Sequence, residues 1–120
     1  MRCPSLAVEG LATRELRGVP SSRGTYRGTA RIVRGSDEFA RVQRGDVLVV
    51  PYSDVAWTPL FARAGAVVAE SGGMLSHSSI VARELGIPCV VSVNGALAIP
   101  DGRTVHVDGF AGVVTIEDGE

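Results

Sequence analysis

The residues best equipped for chemistry lie in one run, Glu70-Ser71-Gly72-Gly73-Met74-Leu75-Ser76-His77-Ser78-Ser79-Ile80-Val81-Ala82-Arg83-Glu84-Leu85-Gly86-Ile87-Pro88. Gly72 and Gly73 permit a tight turn and a close approach of backbone to a ligand. A helix start follows, and the first turn of a helix offers unpaired N–H groups and the positive end of a dipole. That combination cradles phosphate. His77 stands in this first turn. The unprotonated nitrogen of a neutral imidazole is a nucleophile. A neutral imidazole beside an anion cradle can accept a phosphoryl group as a covalent intermediate. Ser76, Ser78 and Ser79 carry hydroxyls that can donate to phosphoryl oxygens. The competing reading is structural: a histidine and three serines at a helix start can simply be surface and capping residues.

Two charged residues flank the run as possible support. Glu70 ends a strand beside the glycines, placed to orient His77 or to hydrogen-bond the loop. Arg83 follows His77 by six positions on a different face of the helix. That placement points to a structural salt bridge rather than to phosphate contact. His106 sits between valines in an alternating segment and is expected to face water.

The surrounding pattern supplies the elements that must position these groups. Val47 to Val50 and Ala66 to Ala69 are continuous apolar runs, as in strands buried on both faces. Thr58-Pro59 opens a helix between them, with Thr58 as its cap, Pro59 at its first helical position and Gly65 at its end. A second helix is expected from about Ser76 to Leu85, ended by Gly86 and Pro88. The apolar run from Cys89 to Val93 is the third strand. Gly24 to Arg34 looks like an early strand, and Asp37 to Val42 like one helical turn. Thr104 to Val107 and Val113 to Ile116 alternate as the arms of a terminal hairpin. Strand, helix, strand, helix, strand is the signature of a small α/β unit. Residues 1–23 read as a leader or linker with a short helix around Ala12 to Leu16. Asp54 is read as a cap, and Trp57 as packing or as a docking surface.

Composition narrows the chemistry. The chain has 120 residues, a hydrophobic fraction of 45% and a formal net charge of -1. This suits one globular domain and gives no electrostatic case for nucleic acid or for an acidic membrane. All 12 basic residues are arginine. Schiff-base chemistry, a pyridoxal lysine and a phosphate-loop lysine are thereby excluded. Cys3 and Cys89 are too few for a disulfide framework, and neither a Cys-x-x-Cys pair nor a histidine cluster suggests a metal. Cys89 reads as a small buried hydrophobe. No long apolar stretch marks a signal peptide or a membrane span, so a cytoplasmic location is expected.

The run Gly-Gly-Met-Leu-Ser-His-Ser-Ser-Ile-Val-Ala-Arg-Glu-Leu-Gly-Ile-Pro is similar to the phosphohistidine motif of the phosphoenolpyruvate-utilising enzymes. That family includes phosphoenolpyruvate synthase, pyruvate phosphate dikinase, enzyme I of the sugar phosphotransferase system and rifampin phosphotransferase. The resemblance extends over about residues 24 to 116. It implies an α/β swivelling β/β/α domain over residues 24–120, with a mixed sheet, flanking helices and a terminal β-hairpin. His77 would be phosphorylated on its ring, and the domain would carry the phosphoryl group between two distant sites. Nothing would be bound by this chain itself. ATP and Mg2+ would sit on an ATP-grasp partner domain or subunit, which would pass the β-phosphoryl of ATP to His77. A second partner would hold an acceptor such as pyruvate or a small-molecule hydroxyl.

The segment Pro51-Tyr52-Ser53-Asp54-Val55-Ala56-Trp57-Thr58-Pro59-Leu60-Phe61 resembles the rifampin phosphotransferase branch, in which Trp-Thr-Pro-Leu recurs; Val55 departs from an expected proline. In the dikinase and the synthase a threonine two residues before the histidine is a regulatory target. Leu75 occupies that position here, so that control is expected to be absent. A phosphoenolpyruvate-fed carrier like enzyme I and a non-catalytic binding or regulatory module of the same fold remain as alternatives. Met1 and the leader of about 23 residues favour a separately encoded small subunit as the expectation, and a fragment of a longer protein would look similar.

Overall fold

The computed structural model describes residues 14–52 and 57–117. Eight strands run in chain order: β1 (Arg14–Arg17), β2 (Val19–Ser22), β3 (Thr25–Ile32), β4 (Val47–Val50), β5 (Ala66–Ala69), β6 (Cys89–Val91), β7 (Thr104–Asp108) and β8 (Val113–Ile116). Helix α1 (Thr58–Phe61) joins β4 to β5, and α2 (His77–Leu85) joins β5 to β6. Short 3-10 helices cover Ser36–Arg41 and Ala96–Ala98. The strand order is β1-β8-β7-β3-β4-β5-β6-β2. Strands β3 to β6 pair in parallel, and the remaining pairs are antiparallel. This is the expected mixed sheet with flanking helices and a terminal hairpin, the architecture of a swivelling β/β/α domain.

Parallel strands joined by helical crossovers are covered on both faces, and the residues of β4 and β5 are accordingly all buried. Alternate residues serve two separate cores. Val47, Val49, Ala66, Val68 and Val90 point into one core with Val105, Val107, Val114 and Ile116 of the hairpin. Leu48, Val50, Val67, Ala69 and Val91 point into the other, where Trp57, Leu60 and Phe61 of the α1 region and Ala82 of α2 cover them. Trp57 is thus a packing residue, meeting Phe39 edge-on at 5.3 Å between ring centroids. Cys89 is fully buried in this second core, as expected of a small hydrophobe.

The N-terminal segment departs from expectation. The described part of the supposed leader, residues 14–22, forms β1 and β2, and strand replaces helix at Arg14–Leu16. Only Gly18 separates β1 from β2, yet β1 pairs with β8 and β2 with β6. One continuous segment therefore holds both ends of the strand order, and the sheet wraps round on itself. The physical cause is register rather than composition: Leu16 packs on the hairpin core, while Ser21 and Ser22 are drawn in against β6. Gly18 occupies the crossing. A Cβ there would lie 2.4 Å from the Val91 carbonyl oxygen and 2.6 Å from Val93 Cγ2, so no side chain fits. Pro20 sits beside an irregularity in the β2–β6 register, a place where a missing N–H is tolerated. Asp54, read as a cap, lies outside the described residues.

Replacing Gly18 by Val is expected to destabilise the domain by about 1–3 kcal/mol or more, the usual cost of overpacking. Urea unfolding measures this directly, and an unchanged midpoint would show that the crossing is looser than described. Burial pushes the Cys89 thiol up to about 11. Peptide mapping after a thiol reagent in mildly alkaline buffer should find Cys89 modified in unfolded protein and spared in folded protein.

Candidate functional site

The site gathers at the C-terminal ends of β4 and β5, where each strand hands over to a loop and then a helix. Glu70 N donates to Val50 O at 2.9 Å, which extends the β4–β5 ladder one step. Ser71 Oγ then donates to Pro51 O at 2.8 Å, fixing the loop after β5 to the loop after β4. Gly72 turns the chain with φ +120, a conformation that L side chains rarely adopt, and a Cβ there would meet Ser76 Oγ at 3.0 Å. At Gly73 a Cβ would meet nothing within 4 Å. Of the two glycines, only Gly72 is required by the backbone.

From Gly73 the chain makes a turn into α2. Ser76 is the N-cap in an extended conformation, and Gly86 closes the helix in the left-handed region with its N–H bonded to Ala82 O and Arg83 O. The Gly73 carbonyl accepts three donors: Ser76 N at 3.0 Å, Ser76 Oγ at 2.8 Å and Ser79 Oγ at 2.7 Å. The hydroxyls of Ser76 and Ser79 lie 3.2 Å apart. Ser79 is wholly buried and Ser78 is 3% exposed. In this conformation Ser76 and Ser79 therefore brace the loop rather than reach toward a bound anion. Ser76 makes no side-chain capping bond to the helix either. The Gly73 carbonyl oxygen is thereby saturated with donors.

His77 is the first residue of α2 and is half-buried. Its Nε2 lies 3.3 Å from Thr58 Oγ1, where the hydroxyl can donate to an unprotonated nitrogen or accept from a protonated one. The imidazole meets Phe61 edge-on at 5.8 Å between centroids, and Phe61 is wholly buried. One face of the ring is thereby tied to the core. The expectation that Thr58 caps α1 is corrected: Trp57 takes that position, Thr58 is the first helical residue, and its side chain turns to the histidine. Thr58 is the residue of the candidate site missed by sequence reasoning. Its only signal was the Trp-Thr-Pro-Leu segment, because a contact to the next helix leaves no periodicity.

Arg83 forms no ion pair with any described carboxylate. Its Nη1 donates to Ser21 O at 2.8 Å and its Nη2 to Met74 O at 2.6 Å. The expected salt bridge is replaced by two bonds to carbonyls, since no described acid pairs with the fork while two backbone oxygens do. Glu70 is half-buried at the end of β5, and its carboxylate joins no other described side chain. His106 is half-buried on β7, opposite Arg27 of β3 and Thr115 of β8, and belongs to another part of the sheet. Leu75 is 84% exposed, with Met74 and Ile80 also outward, so the surface beside His77 is apolar. Among the described residues no group of three or more His, Cys, Asp or Glu comes together to hold a metal, and no helix is long and apolar enough to cross a membrane.

The two glycines separate experimentally. Gly72→Ala should cost about 1–3 kcal/mol, the usual penalty of a strained backbone, and Gly73→Ala should leave stability nearly unchanged. Thermal unfolding of the two variants tests the ranking, and equal losses would contradict it.

The model of the PEP-utilising enzyme, mobile domain family matches residues 42–112, which include the crossovers through α1 and α2 and the loop before His77. Rifampicin phosphotransferase of Bacillus subtilis is 38% identical over 109 residues, covering 90% of this chain and 12% of that protein. Phosphoenolpyruvate synthase of Aeropyrum pernix is 45% identical over 101 residues, covering 82% of this chain and 12% of that protein. The chain thus spans about an eighth of the length of each of these relatives. A solution structure of an enzyme I protein superposes with a TM-score of 0.57 at 27% identity, over 68% of this chain and 34% of that one. On the matched span, the fold and the glycine loop that leads into the helix of His77, this chain belongs to the mobile-domain family of the PEP-utilising enzymes.

Proposed function

We propose that this domain is the phosphohistidine component of a phosphotransferase, with His77 as the covalent phosphoryl acceptor. The observation that carries the reading is the half-buried imidazole at the first position of a nine-residue helix, entered from a turn whose Gly73 carbonyl is already saturated by donors. An anion arriving there meets N–H groups and the positive end of the helix rather than lone pairs. A ring nitrogen of His77 attacks the phosphorus, and the bond to the leaving group breaks with its electron pair going to that group. Thr58 and Phe61 hold the ring in one orientation for this attack. The backbone of Gly72, Gly73 and the first turn of α2, with Ser78 nearby, would line the phosphoryl group. In this reading Ser76 and Ser79 serve by shaping the turn.

The donor we propose is the β-phosphoryl of ATP, presented with Mg2+ by a separate ATP-grasp domain or subunit. The acceptor, pyruvate or a small-molecule hydroxyl, would be held by another partner. The similarity to rifampicin phosphotransferase and to phosphoenolpyruvate synthase supports this assignment. The likeness to enzyme I favours a second reading, in which phosphoenolpyruvate itself loads His77. The apolar surface of Met74, Leu75 and Ile80 beside the imidazole suits transient contact with whichever partner delivers the group.

The test is to incubate the purified chain in host cell extract with ATP labelled at the β position, or with labelled phosphoenolpyruvate, and to recover it. Acid-labile, base-stable label on His77 is expected from ATP, and His77→Ala should reduce it to background while the protein stays folded. Label from phosphoenolpyruvate alone would move the protein to the second reading. Undiminished label in His77→Ala, or no label in an extract shown to load a control carrier, would overturn the assignment.

A further inference from the structure

We infer that Arg83 is a positioning residue for the chemistry at His77: its guanidinium latches the turn before the histidine to strand β2. The inference rests on the phosphocarrier reading above. The turn is pinned at two successive carbonyls, and by different means. Gly73 O is held from within, by the serines of the helix start. Met74 O is held from the far end of α2 by Arg83 Nη2, while Nη1 of the same guanidinium holds Ser21 O of β2. Met74 is three residues before His77.

Strand β2 is a firm anchor. It pairs with β6, and Ser22 Oγ adds a bond to Ile87 O at 2.7 Å. The turn is thereby referenced to the wrapped sheet and not only to its own helix. A planar guanidinium presents two donors at fixed spacing and in one plane, which is what two carbonyls on separate segments require. A lysine ammonium is a point donor and cannot span them in the same way. Arg83 is exposed and pairs with no described carboxylate, so its geometry serves the two carbonyls rather than charge neutralisation. Without the fork the Met74 carbonyl is free to rotate toward the helix start, where its lone pairs would oppose an incoming phosphoryl group.

The latch is also accessible. Arg83 lines an open groove of about 510 Å³ together with Ser21, Arg23 and Met74. A free guanidinium ion can therefore enter when the side chain is removed.

The experiment uses phosphoramidate, a donor that needs no partner protein. A ring nitrogen of His77 attacks its phosphorus, the P–N bond breaks, and ammonia leaves with a proton. Label on His77 is followed by mass spectrometry in the full chain, with His77→Ala as the blank. Arg83→Ala should slow labelling by about tenfold or more, the scale of a small misplacement of reacting groups. Arg83→Lys should be rescued only slightly. Millimolar guanidinium should restore the rate of Arg83→Ala, and sodium or ammonium at equal ionic strength should not. Melting temperatures of both variants should stay within a few degrees of the parent, because the side chain is exposed. Should Arg83→Ala fail to fold, Arg83→Lys and Arg83→Gln carry the comparison. Parental labelling rates in these variants, or a loss that guanidinium does not restore, would overturn the latch. Label on His77 in the extract assay that ignores Arg83 would remove the latch and leave the carrier reading standing. No label on His77 from either source would remove both.

Discussion

The Gly73 carbonyl oxygen is the point on which the site depends. Three donors converge on it, one backbone N–H and two hydroxyls. A buried hydroxyl such as that of Ser79 is costly unless bonded, so the preference for this arrangement is strong. It fixes where the turn ends and where α2 begins. It also settles what the helix start offers to solvent, because an acceptor that is already saturated does not compete with an anion. The left-handed-side φ of Gly72 aims the chain into this arrangement, and Ser71 ties the entry of the loop to the end of β4. The position of the imidazole is a consequence of these constraints.

The second constraint comes from below. Two cores share the central strands, and the one under the helices reaches upward through Phe61 to the ring of His77. Helix α1 has only four residues, too few to be stable by itself, and is held by burying Leu60 and Phe61. Its short length brings Thr58 level with the start of α2. The two helix-bearing crossovers thus meet at one imidazole: one supplies the glycine turn that leads into it, the other an aromatic ring and a hydroxyl.

Much of this was legible in the sequence where local pattern and tertiary role coincide. Val47 to Val50 and Ala66 to Ala69 read as buried strands because parallel strands are apolar on both faces. Gly86 and Pro88 mark the end of α2 because backbone geometry alone demands it. The candidate nucleophile stood out through the glycine turn and its helix start. Strands β1 and β2 did not, since Arg-Glu-Leu-Arg and Val-Pro-Ser-Ser carry no alternation strong enough to announce them. Their conformation is imposed by the partners they meet. The same limit applies inside the site. Residue type showed that Ser76 and Ser79 had hydroxyls, but the direction of each is set by a loop carbonyl. Thr58 and Arg83 act across 19 and 62 residues of sequence respectively, on contacts that no spacing rule describes.

The crossing at Gly18 bears on the order in which the molecule can be assembled. Arg14–Arg17 pairs with Val113–Ile116, so among the described strands the earliest in sequence must wait for the last. During synthesis the helical crossovers and their strands emerge and can form local structure, and β2 finds its partner in β6, while β1 on the other side of Gly18 has none until β8 is made. Ring closure of the sheet is therefore a late step, with a high loop entropy to overcome. A chain that ends before residue 113 leaves β1 and β7 without the strand that joins them.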